Sequence, residues 1–133
     1  MPQLQQTPDA PFFRTDFSNQ AAWRDLLTRV TTESEDGFLA NITVVDDPAF
    51  EGANPDALAA CANKHAVLFV ADALTLAHAD RPILCIDSSA PQNTFRVVPS
   101  ELWGVENNLS LANMDWEDFA GAVDADGIFR GFG

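Results

Sequence analysis

Ala66-Val67-Leu68-Phe69-Val70, closed by Ala71-Asp72, is the stretch on which the fold turns. An unbroken apolar run of strand length, with no polar alternation, describes a strand buried on both faces, as in a sheet covered by helices on either side. The sequence around it supplies those helices. Upstream, Asn54-Pro55-Asp56 starts a helix with proline at its first position, running to about Ala62. Before that, Gly37 breaks the chain ahead of Phe38-Leu39-Ala40-Asn41-Ile42-Thr43-Val44-Val45, a β-branched run that reads as a strand ended by Asp46-Asp47-Pro48. Further back, Trp23, Leu26, Leu27 and Val30 recur at i, i+3, i+4 and i+7 and form one apolar helical face, capped by Ser18 or Asp16. Pro11-Phe12-Phe13-Arg14-Thr15 precedes that helix as a short first strand.

Downstream, periodicity leaves residues 73–79 open between a helical turn and an extended piece. Ile83–Ile86 and Thr94–Val98 read as strands joined through Ser88–Asn93, which predicts an antiparallel hairpin. Pro99-Ser100-Glu101 opens a helix with Leu102, Val105 and Leu109 on one side. Asp115 caps a last helix, with Met114 and Phe119 at the positions that flank such a cap. Asp126-Gly127 reads as a turn before the apolar tail Ile128-Phe129. The expected architecture is a mixed α/β domain: about five strands in a mixed sheet, a C-terminal antiparallel hairpin, and three or four covering helices. Trp23, Leu26, Val44, Leu68, Val70, Leu84, Ile86, Val97 and Phe119 form the expected core. Residues 1–10 are a polar lead-in and 11–133 a single domain, with no internal repeat or linker.

The 133 residues carry Lys+Arg 7 against Asp+Glu 20, a net charge of -13, and Lys64 is the sole lysine. Nucleic acid and anionic membrane surfaces are excluded as partners, because phosphate binding runs on Arg and Lys displacing counterions. A basic protein partner or a bound cation is compatible with the charge, as is a plain role in solubility. Cys61 and Cys85 stand in apolar surroundings and read as small core residues. No basic-then-apolar leader opens the chain and no apolar run approaches a membrane span, so a cytoplasmic location is expected.

Several strings also resemble a known family when taken together and in order: Arg14-Thr15-Asp16-Phe17-Ser18, Val45-Asp46-Asp47-Pro48, Phe69-Val70-Ala71-Asp72-Ala73, Thr94-Phe95-Arg96-Val97-Val98-Pro99-Ser100, Val105-Glu106-Asn107-Asn108-Leu109-Ser110, Ala112-Asn113-Met114-Asp115 and Asp124-Ala125-Asp126-Gly127. They resemble a family of small acidic bacterial proteins, chiefly actinomycete, known only as a domain of unknown function. The resemblance covers nearly the whole chain and implies a complete bacterial single-domain protein. It implies no activity, cofactor or catalytic residue.

Chemistry is suggested most by position. Asp46 and Asp47, Asp72 and Asp87 each follow an apolar strand. In open α/β sheets ligands bind outside the carboxyl ends of parallel strands. If the first two of these strands are parallel neighbours, their carboxylates converge and attract Mg2+ or Ca2+. Against this, Asp is common where strands end because its side chain satisfies turn backbone. No cofactor is otherwise expected. Asp124-Ala125-Asp126-Gly127 fails as a calcium loop, since Ala122 stands where an oxygen ligand is required and Gly133 where a bidentate carboxylate is required. His65 and His78 lack zinc-ligand spacing, Cys61 with His65 lacks an orienting partner, and no nucleophile elbow, Walker loop or dinucleotide fingerprint occurs.

Two classes of function remain. The first is a non-enzymatic binding protein, an inhibitor or antidote of a basic protein, with Trp103, Glu106, Asn107, Asn108, Trp116, Glu117 and Asp118 as its candidate interaction surface. The second is a metal-binding protein or metal-dependent enzyme built on Asp46, Asp47 and Asp72. Charge and missing catalytic motifs favour the first.

Overall fold

Alternation of strand and helix in the front half builds a doubly wound unit. The computed structural model describes residues 9–62 and 64–132. The chain runs β1 (Ala10–Arg14), α1 (Gln20–Val30), β2 (Ile42–Val45), α2 (Pro55–Cys61), β3 (Val67–Ala71), α3 (Ala73–Ala77), β4 (Ile83–Asp87), β5 (Thr94–Val97), α4 (Leu102–Ser110), α5 (Trp116–Ala120) and β6 (Ile128–Phe129). Single 3-10 turns at Pro48–Phe50 and Pro99–Glu101 precede α2 and α4. The sheet order is β2-β1-β3-β4-β5-β6. β1 is parallel to both β2 and β3, β4 is antiparallel to its two neighbours, and β5 is parallel to β6. The mixed α/β class and the hairpin β4–β5 are as the sequence indicates. The sixth strand is the tail Ile128-Phe129, too short to announce itself by periodicity, and the residues after Asp72 form α3.

β3 shows why its sequence is decisive. Val67, Phe69 and Ala71 join a core with Trp23 and Leu26 of α1, Leu76 of α3, Val105 of α4 and Phe119 of α5. The alternate residues Leu68 and Val70 join a second core with Phe50 and with Leu58 and Ala59 of α2. Both faces of the strand are therefore dry, α1, α3, α4 and α5 lying on one and α2 on the other. Cys85 is buried, and burial pushes its thiol well above the usual range, so it acts as a small apolar side chain.

Local signals set the helix ends. The α1 cap is Asn19, whose side chain accepts the Ala22 N–H; Asp16 instead accepts from Ser18 within the preceding turn. Asp115 and Asp118 cap α5 reciprocally. Gly127 takes φ +79 in the turn before β6, a left-handed conformation that glycine enters without a steric cost.

Two further expectations need correction. Val44 is 41% exposed, not core. It pairs with Phe12, but β2 is the edge strand, past the cover of the helices. The second correction concerns Phe38–Asn41, which the β-branched run had joined to the strand. These residues leave the sheet because α4 binds them: Glu106 accepts the Asn41 N–H at 2.6 Å and the Asn107 amide donates to the Leu39 carbonyl at 3.2 Å.

Candidate functional site

The strands β1, β2, β3, β5 and β6 run the same way, so their carboxyl ends share one edge. Asp46, Asp47 and Asp72 stand there as expected, but β2 and β3 are not neighbours, because β1 lies between them. Arg14 at the end of β1 is buried and occupies the intervening space. Its guanidinium reaches Asp46 at 3.4 Å and lies over the rings of Phe17 and Trp23 at 4.4 and 5.0 Å. Asp47 accepts the Ala49 N–H at 2.9 Å as the cap of the 3-10 turn. Asp72 caps α3 through the Thr75 N–H and takes a bidentate Arg96, with contacts of 3.0 and 2.7 Å. Burial alone would push the Asp72 carboxyl up; the Arg96 guanidinium and the Thr75 donors outweigh it and hold the group below its usual value. Asp87 stands at the opposite end of the sheet, where its side chain closes the turn at Ser89. Among the described residues no group of three His, Cys, Asp or Glu is arranged to hold a metal ion.

The structure also disperses the proposed interaction residues. Trp116 packs on Phe95 with ring centroids 4.7 Å apart. Glu117 and Asp118 are exposed on α5. Asn108 braces the end of α4, donating to the Gly104 carbonyl at 2.8 Å. Glu106 is only 3% exposed, so it is no anchor on an outer surface; its Oε1 accepts the Asn41 N–H.

Trp103 stacks on Phe38, centroids 4.7 Å apart and planes within 13°. These rings form one wall of an open groove of about 590 Å3 whose other walls include Val30, Leu39, Pro99 and Leu102. Phe38 and Leu39 are 49% and 40% exposed, an apolar surface without cover. The loop that carries them also carries Glu33, Glu35 and Asp36. Arg29 and Arg130 line the groove but are held by Asp25 and by Asp80 and Asp124.

A second, polar pocket of about 320 Å3 lies at the amino ends of β1, β2 and β3. Asn41, Lys64, His65, Glu106, Asn107 and Ser110 are among its lining residues. The sequence reading grouped Glu106 and Asn107 but not Lys64 and His65. One signal was available: Lys64 and His65 immediately precede the fully buried strand, which fixes them at its amino end. α4 is a wall of both sites, its Leu102 and Trp103 on the groove and its Glu106, Asn107 and Ser110 on the pocket. A third concavity, about 550 Å3, lies between the carboxyl ends of β1 and β3 and is lined by Thr15, Asp16, Ser18, Gly52, Asp72 and Leu74, among others.

Fold and sites together define a mixed α/β protein with a doubly wound front half, an apolar aromatic groove, and two strand-end carboxylates, Asp46 and Asp72, paired with arginines. The chain belongs to the family described as Domain of unknown function (DUF6924), whose model matches residues 9–132. No curated protein matches it. No helix of the described residues is long and apolar enough to cross a membrane.

Proposed function

We propose that the chain is a non-enzymatic binding protein that seats a basic protein partner on the Phe38–Trp103 groove. The observation that carries this reading is the stack of exposed Phe38, whose loop also carries Glu33, Glu35 and Asp36, on half-buried Trp103, in a molecule of net charge -13. Aromatic anchors in a desolvated centre with a charged rim are the form that binding hot spots take. The internal ion pairs strengthen the argument. Arg14, Arg29, Arg81, Arg96 and Arg130 each lie against an aspartate of the same chain, so little positive charge remains to repel a basic partner. An inhibitor or antidote of a basic protein would be built in this way. The same pairings weigh against the metal-dependent alternative, since a cation at Asp72 would have to displace a bidentate guanidinium.

The test uses a library of Lys- and Arg-rich peptides, each with one aromatic or leucine anchor, against the immobilised protein. Peptides retained at low salt and lost on Trp103→Ala are expected. A library that yields no binder, or binders that ignore the loss of Trp103, would overturn the assignment.

A further inference from the structure

The polar pocket at the amino ends of β1, β2 and β3 contains two charged groups whose surroundings are unusual in this molecule. Glu106 is 3% exposed, yet among the described residues it forms no ion pair, and its carboxylate accepts one hydrogen bond there, from the Asn41 N–H to Oε1. A carboxylate has about four acceptor positions and is costly to bury without compensating charge. Among the described residues no buried side-chain oxygen or nitrogen fully closed to solvent lacks a partner, so Oε2 of Glu106 opens onto accessible space, and the pocket that Glu106 lines supplies that space. The second group is Lys64, the sole lysine. Five arginines lie against aspartates, whereas Lys64 has no ion pair among the described residues although it lines the same pocket. Glu106 and Lys64 thus border one small space with no ion pair between them, and Asp9 adds a second carboxylate to its lining. Asn107 and Ser110 add amide and hydroxyl groups to its wall.

We infer that this pocket binds a small zwitterion, an organic molecule with an amino group at one end and an acid group at the other. The amino group meets Glu106 and supplies the missing donors; the acid group meets Lys64. The volume of about 320 Å3 stands at the lower limit of small-molecule sites, about 300 Å3, and limits the ligand to roughly amino-acid size. The pocket is separate from the Phe38–Trp103 groove and does not depend on the reading given for it.

The experiment titrates the protein with glycine, β-alanine, γ-aminobutyrate and 5-aminovalerate, which differ only in the span between their charges. n-Butylamine and butyrate each supply one charge alone. Amide NMR shifts and melting temperature are read together. At least one of the four zwitterions should shift the Lys64, His65 and Asn107 resonances and raise the melting temperature, with both single-charge controls at least tenfold weaker. Lys64→Ala removes an exposed side chain, and Glu106→Gln keeps an oxygen for the Asn41 N–H; each should weaken binding at least tenfold. Should Glu106→Gln fail to fold, Lys64→Ala decides alone. The inference is overturned if no zwitterion binds, if the controls bind equally, if the shifts map elsewhere, or if Lys64→Ala binds like the parent.

Discussion

Replacing Asp72 by Asn tests whether the strand-end carboxylates are structural. The carboxylate holds Arg96 through contacts of 3.0 and 2.7 Å and caps α3 through the Thr75 N–H. Asn keeps one acceptor oxygen, so the cap and one guanidinium contact survive. The other contact and the charge are lost. A hydrogen bond to a charged group contributes about 1.5–3 kcal/mol net, and both side chains are largely shielded from water, so Asp72→Asn should cost about 2 kcal/mol near neutral pH. The pH dependence has a fixed sign. The folded-state pKa of Asp72 is depressed, so its contribution is fully present above the unfolded value of about 3.9 and is lost as pH falls through the lower folded value. Urea unfolding followed by tryptophan fluorescence, from about pH 7 down to about pH 2.5, measures the gap between the two proteins across that window. The gap should be widest near neutrality and close at the acid end. A gap below about 0.5 kcal/mol at neutral pH, or one that persists unchanged into acid, would refute the reasoning.

Other expectations follow from the same geometry. Millimolar Mg2+ or Ca2+ should leave the melting temperature unchanged, because Arg14 and Arg96 already occupy Asp46 and Asp72; a rise abolished by Asp47→Asn would show that a cation site exists. Leu26→Ala, in the fully buried face of α1, should cost about 2–5 kcal/mol by denaturant unfolding, whereas Val44→Thr on the edge strand should cost under about 1 kcal/mol. Gly127→Ala forces a side chain into a left-handed turn and should cost about 1 kcal/mol, seen as a lower urea midpoint at unchanged slope.

The fold was legible where burial left a one-dimensional trace. The run at Val67–Val70 carries the pattern of a strand covered on both faces, and the spacing of Trp23, Leu26 and Val30 that of a helix face. The trace failed at the edge. Val44 has the composition of a core residue, and nothing local says that β2 has a neighbour on one side only. It failed again at Phe38–Asn41, where contacts from α4, more than sixty residues on, override a β-branched pattern. The site was less legible because it depends on strand order. Asp46 and Asp72 were correctly placed at strand ends, yet their separation by β1 and their arginine partners are tertiary facts. Trp103 was identified as a candidate anchor, but its stacking partner Phe38 had been assigned to the sheet. Glu106 and Asn107 were recognised as a polar group; Lys64 and His65 reach them only through the folded chain.

The central claim is that acidic charge brings a basic partner to an aromatic groove, and the separate rates of binding test it most directly. With a basic peptide retained by the groove, the association rate should fall steeply as salt rises, and fall again when Glu33, Glu35 and Asp36 are neutralised. Trp103→Ala should leave association nearly unchanged and speed dissociation by roughly 30-fold, the equivalent of a 2 kcal/mol anchor. An association rate indifferent to salt, together with a dissociation rate indifferent to Trp103, would contradict the account.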